Sequence, residues 1–398
     1  MTNTFAQQLA TDLHHELTQN ILPFWMVRMV DNENGGFYGQ IDGNNTVNAL
    51  APKGGILNAR ILWTFSAAYR QLGDSQYLDI AIRARDYILN HFIDREHGGT
   101  YWSLDHRGFP LDTKKQIYSQ AFFIYALTEF FLATGDGQCL EEAIKIYRLI
   151  EQYSFDVSGS GYLEAYSRDW HLLDDLRLSA KDANEKKTMN THLHILEAYT
   201  NLYRVWKDND LRNQLRNLIY LFTDRIIDPQ TSHLNLFFNE DWICRSTITS
   251  YGHDIECSWL LYEAANLLGD EMLTGKVKQI CLSIVNAASE GLQPDGSIIN
   301  ERNNATGHTD ADRHWWPQAE AVVGFYNAFE LTCKDHYLTK ALNAYAYIQQ
   351  HLVDKANGEW YWSIRADGSV NRHDDKAGFW KCPYHNGRMC LEIIARVG

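Results

Sequence analysis

The 398-residue chain is poor in cysteine, in positive charge and in long apolar runs. Its seven cysteines (Cys139, Cys244, Cys257, Cys281, Cys333, Cys382 and Cys390) are scattered, and none forms a Cys-x-x-Cys pair. That argues against a disulfide framework or a zinc cluster and favours a reducing compartment. Only 36 Lys and Arg stand against 50 Asp and Glu, for a net charge of −14. The basic footprint that nucleic acid requires is missing. No apolar run approaches the roughly 18 residues of a membrane span. The opening segment, MTNTFAQQLATDLHHELTQNILPFW, reads as an amphipathic helix without the basic start and apolar centre of a secretory signal. A cytoplasmic protein is the expectation, and monomer is the default state.

Motifs for several chemistries are missing as well. There is no Gly-Lys-Ser or Gly-Lys-Thr phosphate loop and no Gly-x-Ser-x-Gly elbow. The stretch Ser158-Gly159-Ser160-Gly161-Tyr162 lacks the third glycine and the strand-to-helix setting of a dinucleotide site. Serine, phosphate and hydride chemistry find no support, and no cofactor is expected.

What is present is a sixfold repeat. Glycine-aromatic segments begin at Gly35, Gly98, Gly161, His233, Gly296 and Gly358, at intervals of 63, 63, 72, 63 and 62 residues. Their alternating apolar and polar positions predict short strands or hairpins. A second series keeps step, with helix-like runs from Ile56, Gln116, Met189, Tyr251, Trp315 and Cys382. Several of these are apolar around nearly the whole circumference, as buried helices are. Amphipathic stretches such as QYLDIAIRARDYILNHFI and YLTKALNAYAYIQQHLV lie between them. Six inner and six outer helices make twelve, and repetition at this period means a solenoid or a closed toroid. Closure hides the apolar faces an open array would leave at its ends. The expectation is an all-α (α/α)6 barrel, a single domain over 1–398, with short β-hairpins in the long loops. The inner helices then start at one mouth, where helix N–H groups and loop side chains gather. The opposite end, with short turns, is expected to be structural.

Three histidines open such helices: His194 in TMNTHLHILEAY, His253 in SYGHDIECSW and His385 in WKCPYHNGRMC. One buried histidine is usually a satisfied core residue; three at equivalent helix starts point to a site. Imidazole titrates near neutrality and suits proton transfer. Asn190 and His194 share a helix face with Glu197, His253 and Glu256 sit three apart, and so do His385 and Arg388. His192-x-His194 and His253-x-x-Glu256 are poor metal spacings on a helix, so no metal is expected. Trp315, Trp316 and Trp380 at the mouth suit sugar rings, which offer C–H patches to aromatic faces and hydroxyls to polar groups.

At this point the chain resembles a known family. TMNTHLHILEAYTNLYR, SYGHDIECSWL, Trp315-Trp316 with Glu320, and WKCPYHNGRMCLEI are similar to cellobiose 2-epimerases, of the N-acylglucosamine 2-epimerase superfamily. The likeness runs through ILNARILWTFS, with Arg60, and IYSQAF, with Tyr118. It implies an (α/α)6 barrel and a cofactor-free interconversion of reducing-end glucose and mannose in a β-1,4-linked disaccharide. It further implies acid/base roles for His253 and His385, with His194 as a third active-site histidine and Glu256 as the helix carboxylate. Arg60, Tyr118, Asp182, Asn190, Trp316, Glu320 and Trp380 would contact substrate. Such chemistry opens the ring, removes the proton α to the aldehyde, and returns it from the other face of the enediolate. Arg60 and His194 are the expected stabilisers of the enediolate oxygens, and Glu256 is expected to hold His253 or a hydroxyl. Mannobiose and N-acylglucosamine remain alternative substrates. Glycoside hydrolysis through Asp182, Glu256 or Glu320, and non-catalytic sugar binding, are the rival classes.

Overall fold

In the computed structural model, which describes residues 2–398, three of the six inner helices end on a glycine with positive φ. α2 (Gly55–Leu72), α4 (Ile117–Thr134) and α8 (Tyr251–Leu268) stop at Gly73, Gly135 and Gly269, all in the left-handed region. Glycine reaches that conformation without a Cβ penalty. An aspartate follows at once and caps the next helix: Asp74 accepts from Gln76 N, Asp136 from Gln138 N and Asp270 from Leu273 N. A Gly-Asp pair therefore turns inner helix into outer helix in two residues. The outer helices so begun are α3 (Ser75–Tyr87), α5 (Gly137–Leu149) and α9 (Glu271–Ala288).

The remaining pairs are α6 (Met189–Val205) with α7 (Asn209–Leu221), and α10 (Trp315–Thr332) with α11 (Asp335–Tyr347). The last inner helix, α12 (Tyr384–Val397), takes its outer partner from the start of the chain. That partner is α1 (Thr2–Glu16), continued through a π turn, Leu17–Ile21, and Leu22–Arg28. Inner helices pack in the order α2, α4, α6, α8, α10, α12, and α12 returns to α2. The ring is closed: among the described residues, twelve helices form the expected (α/α)6 barrel. No helix among them is long and apolar enough to cross a membrane.

The long loops carry the strands, but the main pairing is between repeats rather than within local hairpins. β1 (Lys53–Gly54), just before α2, pairs antiparallel with β2 (Ser103–Leu104) of the next loop. β4 (Lys115–Gln116) pairs with β5 (Ala165–Tyr166), and β6 (Lys187–Thr188) with β7 (Phe237–Phe238). β8 (Ile248–Ser250) with β9 (Glu301–Asn303), and β11 (Arg313–His314) with β12 (Ser363–Ile364), continue the series. Local hairpin pairing is present beside it: β3 (Pro110–Asp112) and β10 (Thr309–Asp310) pair with β2 and β9, and β5, β7 and β12 bridge within their own loops, Tyr166 to Leu172, Phe238 to Cys244 and Ile364 to Val370. Five of the six inner helices, α12 being the exception, thus start from a backbone already pinned to its neighbour.

A buried ion pair ties the same junctions. Asp31, Asp94, Asp156 and Asp354 each accept two backbone N–H groups in their loops and a lysine ammonium: Lys53, Lys115, Lys187 and Lys376. The repeats leading to α8 and α10 place Thr249 and Arg313 in the lysine's position. There the anchor is a helix side chain: Asp254 accepts from Leu234 N, and Gln318 bonds both N and O of Ile298. His192 does the same in α6, accepting from Tyr162 N at 2.9 Å while its Nδ1 meets Thr188 O. Gly161, beside it, has φ of +82, and an added Cβ would lie 2.8 Å from His192 Nε2. His192 is therefore a structural residue, and His194 alone of that pair enters the mouth.

Candidate active site

Because all six inner helices begin at one end, their first two turns meet there. α2 supplies Arg60, α4 Tyr118, α6 Asn190 and His194, α8 His253 and Glu256, α10 Trp316, and α12 His385. With Trp380 and Asp182 from loops, these residues line a cavity of about 570 Å³. Ten of the eleven residues expected at the site are thereby brought together. The exception is Glu320, which lies behind His385 and does not line the cavity.

Each of the three histidines is anchored through Nδ1. His194 Nδ1 lies 3.0 Å from Glu197 Oε2, His385 Nδ1 lies 2.7 Å from Glu320 Oε1, and His253 Nδ1 lies 2.8 Å from Ser250 Oγ. Nε2 is left as the nitrogen available to a ligand. Burial holds all three imidazoles below their ordinary value, His253 and His385 to about 3. For His253 the neighbouring His194 and His385 add to the effect; for His385 the Glu320 carboxylate opposes it. At neutral pH all three rings are uncharged.

Behind them sits Arg388, fully buried. Its Nη2 donates to Glu256 Oε1 at 2.7 Å and to Glu320 Oε1 at 2.6 Å. Its Nη1 reaches Glu197 Oε1 and the Tyr384 hydroxyl. One guanidinium thus gathers three carboxylates, two of which hold histidines. Burial alone would raise Glu320, but the Arg388 charge and the His385 contact outweigh it and keep it at about 2. Glu197 is held down in the same way by Arg388 and His194. Glu256, buried beside the Glu320 charge, is pushed up to about 8 despite Arg388. The arrangement is two carboxylates and one neutral carboxyl around one cation.

The opposite wall belongs to Arg60. Its Nη2 meets the Tyr118 hydroxyl at 2.8 Å, and its guanidinium lies over the Phe122 ring, 4.1 Å from the centroid. Trp316 touches two histidines, with ring centroids 4.7 Å from His253 and 5.7 Å from His385. Tyr118 and Trp380 lie 6.3 Å apart. Asn190 Oδ1, buried at the wall, has no hydrogen-bond partner, so an acceptor is free for a hydroxyl. Asp182 accepts from Ser179 N in its loop and also borders an adjoining cavity of about 290 Å³.

With this geometry in view, the comparisons with known proteins are decisive. The sequence model of the N-acylglucosamine 2-epimerase (GlcNAc 2-epimerase) family matches residues 36–387. The chain belongs to that family. It is a carbohydrate epimerase, an isomerase by class. It is 58% identical to the cellobiose 2-epimerase of Bacteroides fragilis, over 97% of this chain and 98% of that one. It is 40% identical to the cellobiose 2-epimerase of Ruminococcus albus, over 98% and 99% of the two chains. The structure of cellobiose 2-epimerase from Bacillus thermoamylovorans B4167 superposes with a TM-score of 0.94, at 42% identity, covering 98% of this chain and 100% of that one.

Three expectations for the epimerase's site need correction. Glu320 was expected to touch sugar; both its oxygens are occupied, Oε1 by His385 and Arg388 and Oε2 by Trp259 Nε1 at 3.0 Å. Glu256 was expected to hold His253 or a sugar hydroxyl; it bonds Arg388 and Ser250 holds the imidazole, while its place in the cavity wall leaves the hydroxyl role open to it. His194 was expected to donate to an enediolate oxygen. An ionised Glu197 can only accept, so it fixes the proton on His194 Nδ1 and leaves Nε2 as a lone pair. A neutral His194 is an acceptor.

Sequence reasoning gave no role to Ser250, Tyr384 or Trp259. Arg388 was noted only for its three-residue step from His385, although its partners Glu197, Glu256 and Glu320 lie 191, 132 and 68 positions away. Metal ligation meets an obstacle at the same place. Ligand atoms of Glu256, Glu320 and His385 lie within 4.8 Å of one another, but Arg388 already neutralises that group, and a metal would have to displace it. A second such set, Asp310, Asp312 and His314, is half-buried in the loop before α10. The far end of the barrel was expected to be structural. It holds a polar cavity of about 580 Å³ lined in part by Arg70, Glu129, Arg204 and Glu263, with Glu197 in its wall.

Proposed function

We propose that this chain is a cellobiose 2-epimerase that inverts C2 of the reducing-end glucose through an open-chain enediolate, with 1–398 acting as one catalytic domain, monomeric and cytoplasmic. The observation that carries the reading is the convergence, in one cavity, of three uncharged imidazoles, a neutral carboxyl and a buried guanidinium. Hydrolysis needs a pair of carboxyl groups flanking the bond; here Glu320 is turned away, so Glu256 would have to pair with a loop aspartate such as Asp182, and hydrolysis gives the three histidines no task. Trp316 and Trp380 give the sugar ring flat faces, and Asn190, Asp182 and Tyr118 give its hydroxyls partners.

Ring opening moves one proton off the anomeric hydroxyl and one onto the ring oxygen. His194, with a free Nε2 lone pair, accepts the first, and the neutral Glu256 carboxyl donates the second. One of His253 and His385 then takes the C2 proton; the C–H electron pair becomes the C1–C2 double bond, and charge collects on O1. Arg60, held by Tyr118 and Phe122, stabilises that charge. The other histidine, neutral at rest, takes up at Nε2 the proton that ring opening left on His194 and delivers it to the opposite face of C2. The proton held by the first histidine goes back through His194 to O1 when the ring closes. General acid–base help supplies about 10²- to 10⁴-fold, and a preorganised donor on the oxyanion about 10²- to 10³-fold more. No step calls for a cofactor.

Proton NMR of cellobiose incubated with the enzyme in D2O tests the reading. The expected outcome is 4-O-β-D-glucosyl-D-mannose carrying deuterium at C2. Free glucose would instead mark a hydrolase, and unlabelled epimer would rule out the enediolate.

A further inference from the structure

The three histidines are not held alike. His194 and His385 each have a carboxylate at Nδ1, an acceptor-only partner that fixes the Nδ1–H tautomer. His253 has the Ser250 hydroxyl, which both donates and accepts. Ser250 is the N-cap residue of α8, where a serine hydroxyl ordinarily accepts a backbone N–H from the first turn. It makes no such bond. Thr188, in the equivalent place before α6, caps normally by accepting from Thr191 N at 3.1 Å. The Ser250 backbone is fixed by pairing with Glu301 in β9, and its side chain is fully buried. A hydroxyl that elsewhere caps its helix is here diverted to an imidazole.

We propose that Ser250 is a positioning residue that makes the two opposed histidines unequal, so that the enediolate partitions unevenly between its two faces. This rests on the C2-epimerisation reading above. When His385 is the base, the C2–H bond breaks, the proton joins Nε2, and the electron pair enters the C1–C2 double bond. The resulting imidazolium faces the Glu320 carboxylate through Nδ1–H. When His253 is the base the same bonds change, but its Nδ1–H meets only a hydroxyl dipole. In either direction the opposite histidine, neutral at rest, first takes at Nε2 the proton that ring opening left on His194, gives it to C2 and is neutral again. Charged partners strengthen a hydrogen bond about twofold over neutral ones, so a proton rests more readily on His385 than on His253. The other titratable groups turned toward His253 are His194, His385 and Glu320, from α6, α12 and α10. None of them bonds its Nδ1.

The test follows deuterium at C2 from both epimers in D2O, early in turnover, in the wild type, Ser250→Ala and Ser250→Thr. The ratio of label in product to label in recovered substrate reports the partition. Ser250→Ala should lower kcat about 10-fold, the worth of one positioning hydrogen bond, with KM little changed. It should also shift the label ratio differently for the two starting epimers. Ser250→Thr, which keeps the hydroxyl, should restore both. Wild-type behaviour in Ser250→Ala, an unchanged label ratio despite a slower rate, or no rescue by Thr would each overturn the proposal. If the wild type itself places no deuterium at C2, the enediolate reading has failed, whatever Ser250 does.

Discussion

Glu320 shows how a residue outside the cavity can govern the chemistry inside it. Its Oε1 receives both the His385 ring and the Arg388 guanidinium, so under the proposed mechanism its charge stabilises the imidazolium formed when His385 takes a proton. Glu320→Gln keeps an acceptor for Nδ1–H but removes the charge. The variant should lose about 10- to 100-fold in kcat, the worth of a charge-assisted hydrogen bond, with KM nearly constant; steady-state kinetics with cellobiose would check it. Which histidines share the mouth was legible in the sequence, because His194, His253 and His385 recur at equivalent helix starts. What holds them was not. Glu320 is 65 positions from His385, and nothing local distinguishes a carboxylate that faces sugar from one that faces a histidine. Glu197, three positions from His194, was within reach of helical periodicity.

Among the elements, the inner-to-outer turns show most plainly how the repeat is written. Three of them use Gly-Asp, but after α10 the left-handed position falls on Cys333, with φ of +55, and Lys334 follows. A side chain there costs about 1 kcal/mol relative to glycine. Cys333 is exposed and free, so Cys333→Gly removes no packing. The variant should be more stable by about 1 kcal/mol, seen as a higher midpoint in urea unfolding with an unchanged slope. Helix identity was legible because the inner runs are apolar all round and the outer ones on one face. The strand pairing was less so: two-residue strands such as Lys53–Gly54 find partners some 50 positions on, in the next repeat, and no local turn signals that.

For the molecule as a whole, burying ionisable groups at the mouth links stability and activity to pH. The folded His253 and His385 resist protonation down to about 3, whereas unfolded imidazoles take up protons near about 6.5. Acid therefore favours the unfolded chain across that window. Glu256 acts oppositely: it ionises near 4.5 when exposed and near 8 when folded, so its contribution is lost as pH rises between them. Together these three groups place maximum stability near about pH 6.5, to be read from melting temperatures across a pH series. Catalysis should show no fall at the ordinary histidine value, and should decline above about 8 as Glu256 loses its proton. Ring closure was legible from six buried helices matched by six amphipathic ones, since an open array would leave apolar faces at its ends. The Arg388 cluster, which joins α6, α8, α10 and α12 at the barrel's centre, was not.

The central claim is that His253 and His385 work on opposite faces of one carbon, and C2 exchange in single-histidine variants tests it most directly. His253→Asn and His385→Asn would each be incubated in D2O with cellobiose and, separately, with its C2 epimer. Each variant should fail to interconvert the two sugars, yet wash the C2 proton out of one of them, and the two variants should choose different sugars. Net epimerisation by either variant, or exchange of the same sugar by both, would contradict the account.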